Sequence, residues 1–498
     1  MATGELARGA VTTRDIVQKL WNLCHVLRDD GVSYSEYVVE LTFLLFLKMM
    51  EETGNEQRLP QPYRWRELAR REALDQLTFY KQLLHDLGNA GCTKNATVRT
   101  IFTDARTRLR EPANLKALTR AIDRLDWFSA REEGLGNLYE GLLEKNASDK
   151  KSGAGQYFTP RPLIDCIVRV IKPQPGETIQ DPAAGTGGFL VAADRYIKDA
   201  TNDLAKLSAK AAIFQRRHAY KGLELVVDTH RLCLMNLMLH DIDASLEQGD
   251  TLSPDGQALG KADIILTNPP FGTKKGGGRP TRADFSVTAD SSNKQLAFVE
   301  HLVRALKPGG RAAFVVPDNL LFEDNTGRRL RTWLMELCDL HTILRLPTGI
   351  FYAQGVKTNV LFLTRGRTDS GNTDQVWIYD LRADMPAFGK TRPLTLADFA
   401  GFEAAFGDDP NGKTPRTDEG ETGRFRSFTR SLIEERNDNL DIAWLRDAEA
   451  DAEEGLTEPE DIAAAIIGHL RAALAEIEAL SQELEVPEPD IAGGTAAE

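Results

Sequence analysis

The chain has 498 residues, 42% of them hydrophobic and 27% charged, and a formal net charge of −13. That length is too great for one core, so two or three domains are expected, and the balance is that of a soluble globular protein. No apolar run approaches the ~20 residues of a membrane span, Met1 to Arg14 lacks an apolar signal core, and a chain gripping DNA unaided would show a basic excess. The five cysteines (Cys24, Cys92, Cys166, Cys233, Cys338) are scattered without a CxxC pair. This argues against a zinc site and for reduced thiols in the cytoplasm.

Residues 1–148 read as a helical domain. Ile16, Leu20, Leu23 and Leu27 recur on one helix face after Thr13-Arg14-Asp15. Ser33 to Met50 continues helically, Pro60 and Pro62 interrupt, and amphipathic stretches follow at Trp65 to Leu87 and Ala113 to Leu125. No catalytic constellation is visible there, and His25 and His85 read as structural or exposed. Asn146 to Gln156 is polar, contains glycine and reads as a linker.

Residues 149–400 read as an α/β domain. Gly155 to Pro162 (GQYFTPRP) is a stiff loop before the helix Leu163 to Ile171, where Tyr157, Phe158, Thr159 and Pro160 can line a pocket or simply start a helix. Thr178-Ile179-Gln180 then feeds Asp181-Pro182-Ala183-Ala184-Gly185-Thr186-Gly187-Gly188, and a helix from Phe189 follows. The glycines let a ligand lie on the backbone, and the helix start presents free N–H groups. This string is neither a dinucleotide GxGxxG nor a P-loop. A carboxylate opening the loop suits the cationic amino-acid end of S-adenosylmethionine (SAM) better than a pyrophosphate.

Tyr220 to Glu224 reads as a second strand ending in a carboxylate placed to take ribose hydroxyls. A helix from Asp228 to Leu239 follows. Leu246 to Leu252 looks like a third strand end, where Asp250 is either an acceptor for an adenine amine or an ordinary turn aspartate. Asp263 to Thr267 is a fourth strand delivering Asn268-Pro269-Pro270-Phe271. Two prolines stiffen this turn. It holds an amide, a carbonyl and an aromatic ring at a strand's carboxyl end, where open α/β sheets place their ligands. The Asn268 and Pro269 carbonyls can accept both hydrogens of an exocyclic amine and so localise its lone pair for attack. Phe271 can stack on a base that has left its duplex. The alternative is an Asn-Pro turn with a core phenylalanine.

Gln295 to Leu306 reads as a helix, Lys307 to Gly310 as a turn, Arg311 to Pro317 as a strand and Thr326 to Leu337 as a helix. Strands follow at His341 to Leu346, Val356 to Thr364 and Val376 to Asp380. This alternation predicts a doubly wound, mostly parallel, Rossmann-like sheet. Two of these strands, joined by a loop containing Phe351, are placed antiparallel at one edge. Residues 401–498 read as a connector, polar over 404–425, with a folded stretch at Asn437 to Trp444. A C-terminal helical tail spans Pro459 to Glu485, and its apolar stripe suits docking on a partner helix or packing back on the body.

Taken in order, GQYFTPRPL, DPAAGTGGFL, TNPPFG, LKPGGRAAFVVPDNLLF and LRLPTGIF resemble the amino-methylating SAM-dependent DNA methyltransferases. Over about residues 10 to 445 the chain looks most like the modification subunits of type I restriction–modification systems. The resemblance implies that Tyr157, Phe158, Thr159 and Pro160 border the SAM pocket. It implies that Asp181, Ala183, Gly185, Thr186, Gly187 and Gly188 hold its methionine end, Glu224 its ribose and Asp250 its adenine. Asn268, Pro269, Pro270 and Phe271 would then methylate N6 of a flipped adenine in double-stranded DNA, with Phe351 as a second aromatic against the base. It further implies two such chains around one specificity subunit, which reads the DNA sequence, and a separate restriction/translocase subunit. Alternatives left open are a protein glutamine N-methyltransferase, a silent SAM-binding scaffold and a stand-alone DNA methyltransferase.

Overall fold

The computed structural model describes residues 13–23, 26–27, 37–127, 135–149, 158–271, 278–347, 350–351, 357–383, 385, 388 and 392–445. The chain divides into two compact units, Met1–Ile442 and Ala443–Glu498. The elements described all lie in the first. The predicted linker, Asn146 to Gln156, starts inside a helix that runs to Asp149. Residues 150–157, 272–277 and the predicted tail helix lie outside the described residues.

The first unit begins with helices. They are α1 (Thr13–Asn22), α2 (Tyr37–Glu52), α3 (Trp65–Ala69), α4 (Ala73–Leu87), α5 (Ala96–Phe102), α6 (Pro112–Asp123) and α7 (Leu135–Asp149). Helix α2 is apolar on every face because every face is covered: Leu41 to Met50 are all buried. Each such leucine or phenylalanine contributes roughly 1.5–3 kcal/mol relative to exposure. Lys48 is tolerated inside it because Glu51 and Glu52 each hold its ammonium at 2.8 Å. The stretch read as one pattern from Trp65 to Leu87 is two helices. Glu72 breaks it with extended backbone, and Asn95 caps α5 by accepting from Val98 N at 3.0 Å.

An α/β layer follows: α8 (Arg161–Ile171), β1 (Ile179–Asp181), α9 (Gly188–Thr201), α10 (Ala209–Arg217), β2 (Tyr220–Glu224), α11 (Val227–Leu239), β3 (Ser245–Gln248), α12 (Pro254–Ala258) and β4 (Ala262–Thr267). Beyond lie α13 (Lys294–Ala305), β5 (Leu306–Pro317), α14 (Asn319–Phe322), α15 (Thr326–Leu337), β6 (Cys338–Arg345), β7 (Thr358–Arg365), β8 (Gln375–Asp380), α16 (Ala400–Phe406), β9 (Phe425–Thr429) and α17 (Arg430–Glu435). Helix α11 is apolar all round for a second reason. It packs on β2 and β3 and also carries α2, α5 and α7, so it joins the helical layer to the sheet. Arg231 fastens that join by donating to the Ile101 carbonyl at 2.7 Å and the Thr103 carbonyl at 2.8 Å.

Among the described residues the strands form one nine-stranded sheet in the order β3-β2-β1-β4-β5-β7-β6-β8-β9. Strands β3, β2, β1, β4 and β5 run parallel, as does the β6–β8 pair. The mostly parallel, doubly wound reading therefore holds. Strands β6 and β7 pair antiparallel as expected. They do not form the edge, because β8 and β9 extend the sheet past β6. Strand β9 begins at the end of the polar stretch read as a connector. Its buried residues, Phe425 and Phe428, are three apart and so lack the strand alternation that would have marked it. Phe425 packs on Trp377 of β8 with ring centroids 4.8 Å apart. The turn read at Lys307 to Gly310 is a bulge at the start of β5. Register skips from Ala262–Leu306 to Ile264–Arg311 there, with Gly309 at φ +81°.

The chain goes from β1 to β2 on one side and, through β3, returns to β4 on the other side of β1. The carboxyl ends of β2, β1 and β4 therefore stand side by side at a topological switch point.

Candidate active site at the sheet switch point

Asp181 ends β1 and is buried, and one of its oxygens accepts from Ala183 N at 3.1 Å. The turn after it is tight: Ala184 N donates to the Leu223 carbonyl at 2.9 Å and Gly187 N to the Ala184 carbonyl at 2.7 Å. Gly185 and Gly187 have φ of +54° and +83°, a region that side chains rarely adopt. A Cβ at Gly187 would also lie 2.9 Å from Cys233 Sγ on α11. Helix α9 then starts at Gly188. On α11, Asn236 Nδ2 donates to the Thr186 carbonyl at 2.9 Å and holds the turn from below.

Glu224 ends β2 and reaches across to this turn. One carboxylate oxygen accepts from Gly185 N and the other from Val226 N, each at 2.9 Å. Each oxygen keeps further acceptor capacity. Burial pushes the Asp181 carboxyl up to about 7, against the hydrogen bond from Ala183 and with the Glu224 charge adding to the rise. Burial also raises Glu224, opposed by the N–H groups of Val226, Gly185 and Leu225. Beside Glu224 the apolar side chains of Leu225, Val226 and Val227 are all exposed.

Asp250 follows β3, is exposed, and accepts from Leu252 N at 2.9 Å in an Asx turn. Thr251 Oγ1 donates to the Pro182 carbonyl, linking that turn to the glycine turn.

Asn268 leaves the end of β4, with Pro269 buried and Pro270 exposed. Its Nδ2 donates to Thr159 Oγ1 at 2.9 Å. The short segment Phe158-Thr159-Pro160, with Pro160 at the N-cap of α8, thus meets the Asn268 turn rather than standing apart from it. Phe271 meets Phe351 edge to face, with ring centroids 6.1 Å apart and planes at 73°. Phe351 is buried. As placed, it supports the Phe271 ring and does not itself present an open face. Tyr157 lies outside the described residues.

The structure therefore brings Thr159, Asp181, Ala183, Gly185, Thr186, Gly187, Gly188, Glu224 and Asn268 to one end of the sheet. Among the described residues no group of three or more His, Cys, Asp or Glu side chains is placed to hold a metal ion. The sequence reading missed Asn236, Thr251 and the exposed Leu225-Val226-Val227 run. Only the last left a sequence signal, three successive apolar residues directly after a strand-ending carboxylate.

Residues 130–454 match the N-6 DNA Methylase family and residues 16–122 the HsdM N-terminal domain. The chain is 48% identical to the type I restriction enzyme StySPI methylase subunit of Salmonella potsdam, covering 95% of this chain and 96% of that one. It is also 48% identical to the EcoKI methylase subunit of Escherichia coli, with the same coverage. The crystal structure of the EcoKI M protein superposes with a TM-score of 0.57 at 45% identity, covering 95% of this chain and 96% of that one.

The chain belongs to the methylase subunits of type I restriction enzymes. It is an adenine-specific DNA methyltransferase of the N-6 DNA methylase family. Membership accounts for the helical layer before the sheet, which coincides with the family's own N-terminal domain. No helix among the described residues of this methylase subunit is long and apolar enough to cross a membrane.

Proposed function

We propose that Asn268, Pro269, Pro270 and Phe271 methylate N6 of an adenine flipped from double-stranded DNA. SAM would lie across the ends of β2 and β1. The observation that carries this reading is the Thr159–Asn268 hydrogen bond at the end of β4, next to the Asp181 and Glu224 strand ends. It orients an amide where neighbouring strands are only about 5 Å apart.

The residues present fit the cofactor. Gly185 and Gly187 leave bare backbone at positive φ, and Glu224 is anchored with lone pairs to spare for ribose hydroxyls. Exposed Leu225 and Val226 offer an apolar edge for a base. Tyr157, Phe158, Thr159 and Pro160 border the pocket. Asp181, Ala183, Thr186 and Gly188 complete the cradle for the methionine end, and Asp250 meets the adenine. SAM supplies an electrophilic methyl group when bound. The Asn268 side-chain oxygen and the Pro269 carbonyl accept the amine hydrogens and localise the nitrogen lone pair. Phe271 stacks on the base, braced by Phe351. The amine proton leaves during or after transfer, so no His or Lys base is assigned. Alignment of methyl and nitrogen supplies much of the remaining rate.

The net charge of −13 supports a shared grip on DNA. In this reading two copies clamp the duplex around one specificity subunit, and a separate restriction/translocase subunit cleaves. The complex works in the cytoplasm, where its DNA is. The test gives the purified chain duplex DNA and SAM, alone and with its specificity subunit, and quantifies N6-methyladenine by mass. Modification only with the partner is expected. Modification by the chain alone would place recognition within it, and none in either case would remove the catalytic assignment.

A further inference from the structure

Residues 279–288, downstream of the Asn268 turn, pack against the Asp250–Leu252 turn and are bolted there by a buried guanidinium. Arg282 is 6% exposed. Its Nε and Nη2 donate to the two oxygens of Asp284 at 2.7 and 2.6 Å. Its Nη1 donates to the Thr251 carbonyl at 3.2 Å and to His301 Nδ1 on α13 at 3.0 Å. Burial and the facing Arg282 charge push the His301 imidazole down to about 3, so it is a neutral acceptor. The guanidinium carbon also lies 4.7 Å from the Phe285 ring centroid. One residue earlier, Thr281 N donates to the Leu252 carbonyl at 2.9 Å.

The other half of this joint is the Asp250 turn. Thr251 takes Arg282 on its carbonyl and gives its hydroxyl to the Pro182 carbonyl in the glycine turn. Leu252 packs with Phe285, Phe298 and Ala183. Glycine at 256 keeps the approach open. A Cβ there would lie 2.0 Å from the Thr251 oxygen and 2.8 Å from Arg282 Nη1. The far side is equally firm: Glu300, fully buried, accepts from the backbone N–H groups of Ser286 at 2.8 Å and Thr288 at 2.7 Å.

We infer that Arg282 is a positioning residue that ties the segment after the catalytic turn to the Asp250–Leu252 turn and, through Thr251, to Pro182 beside Asp181. Its guanidinium is buried against Asp284, Thr251 and His301 and acts through them. Its effect is to hold Asp250 and the glycine turn in the geometry that receives SAM. Lysine cannot replace it, because a single ammonium cannot serve Asp284 bidentately while reaching Thr251 and His301. The inference rests on the SAM site assigned above.

Arg282→Lys, Asp284→Asn and Glu224→Ala would be made in the full chain. SAM affinity would be measured by calorimetry on the chain alone, and turnover on the chain assembled with its specificity subunit. Arg282→Lys is expected to weaken SAM binding about tenfold, a coupling of ordinary size between two sites. Turnover at saturating SAM and the KM for DNA should stay within about twofold. Asp284→Asn removes the counter-charge without shortening any side chain, and should shift SAM affinity the same way while lowering the melting temperature, because the buried guanidinium loses its carboxylate. If both variants bind SAM normally, whatever their stability, the inference is overturned. A fall in turnover at unchanged SAM affinity would overturn it too, since the segment would then act on the base side. Glu224→Ala separates the two readings: if it leaves SAM binding intact, the cofactor site itself is misassigned.

Discussion

Thr159 Oγ1 and Asn268 Nδ2 lie 2.9 Å apart, with the amide donating. In the proposed reading, a residue bordering the SAM pocket thereby sets the plane of the side chain that acts on the base. Thr159→Val removes the acceptor and keeps the shape. Turnover is expected to fall about tenfold, the worth of one ordinary hydrogen bond, and Thr159→Ser should restore it. SAM affinity, read by calorimetry, should move far less than turnover.

Asn268→Ala goes further, because in the proposed reading it deletes an acceptor for the amine hydrogens. Single-turnover methyl transfer should drop by about a hundredfold or more. SAM binding should remain close to that of the parent chain. A variant that still methylates at near-parent rate would exclude Asn268 from the chemistry.

Asp181 gives a pH dependence with a definite sign. Its carboxyl, pushed up to about 7 by burial, is partly protonated near neutrality. If it receives the cationic amino-acid end of SAM, as proposed, the ionised form binds and SAM affinity should rise roughly eightfold between about pH 6 and about pH 7.5. Folding runs the other way. Between the unfolded value near 4 and about 7 the native state keeps a proton that the unfolded chain has lost. Asp181's contribution is thus fully present below about pH 4 and is lost as pH rises through about 7, amounting to up to roughly 4 kcal/mol. Asp181→Asn should abolish SAM binding yet melt higher than the parent at about pH 8. Calorimetric titrations and melting curves across that range test both signs.

Phe351 supports Phe271 at 6.1 Å, edge to face. Such pairs are worth about 0.5–1.5 kcal/mol beyond burial. Phe351→Leu keeps the site filled but loses the aromatic edge. It should raise the KM for DNA by roughly two- to tenfold while SAM affinity stays constant. Equal loss of both would indicate general loosening of the loop.

The tail beyond the described residues carries a prediction from sequence alone. Removing residues 455–498 should leave SAM binding intact and weaken assembly with the specificity subunit. Light scattering of the mixed subunits measures this, and unchanged assembly would remove the docking role.

What the sequence alone determined is what depends on neighbours along the chain. The alternation of apolar runs with Gly and Pro turns announced β1, β2, β4 and their loops, because each strand end and its turn are consecutive residues. DPAAGTGG and NPPF were legible for the same reason, since glycine and proline set backbone geometry wherever they occur. The nearly all-apolar helices α2 and α11 were readable as helices from spacing. The sequence did not say what would cover them.

The tertiary structure decided everything that joins distant residues. Thr159 and Asn268 are 109 positions apart, and Gly185 and Glu224 39 apart. They meet only because β4 and β2 both chose β1 as neighbour. Strand β7 lies between β5 and β6, and β9 closes the sheet on Phe425 and Phe428, whose three-residue spacing hides a strand. Arg282 looks like one more loop arginine until Thr251, Asp284 and His301 surround it. Local composition sets conformation, whereas strand order and buried polar pairing are settled by the packing of the whole sheet, which no short window of sequence contains.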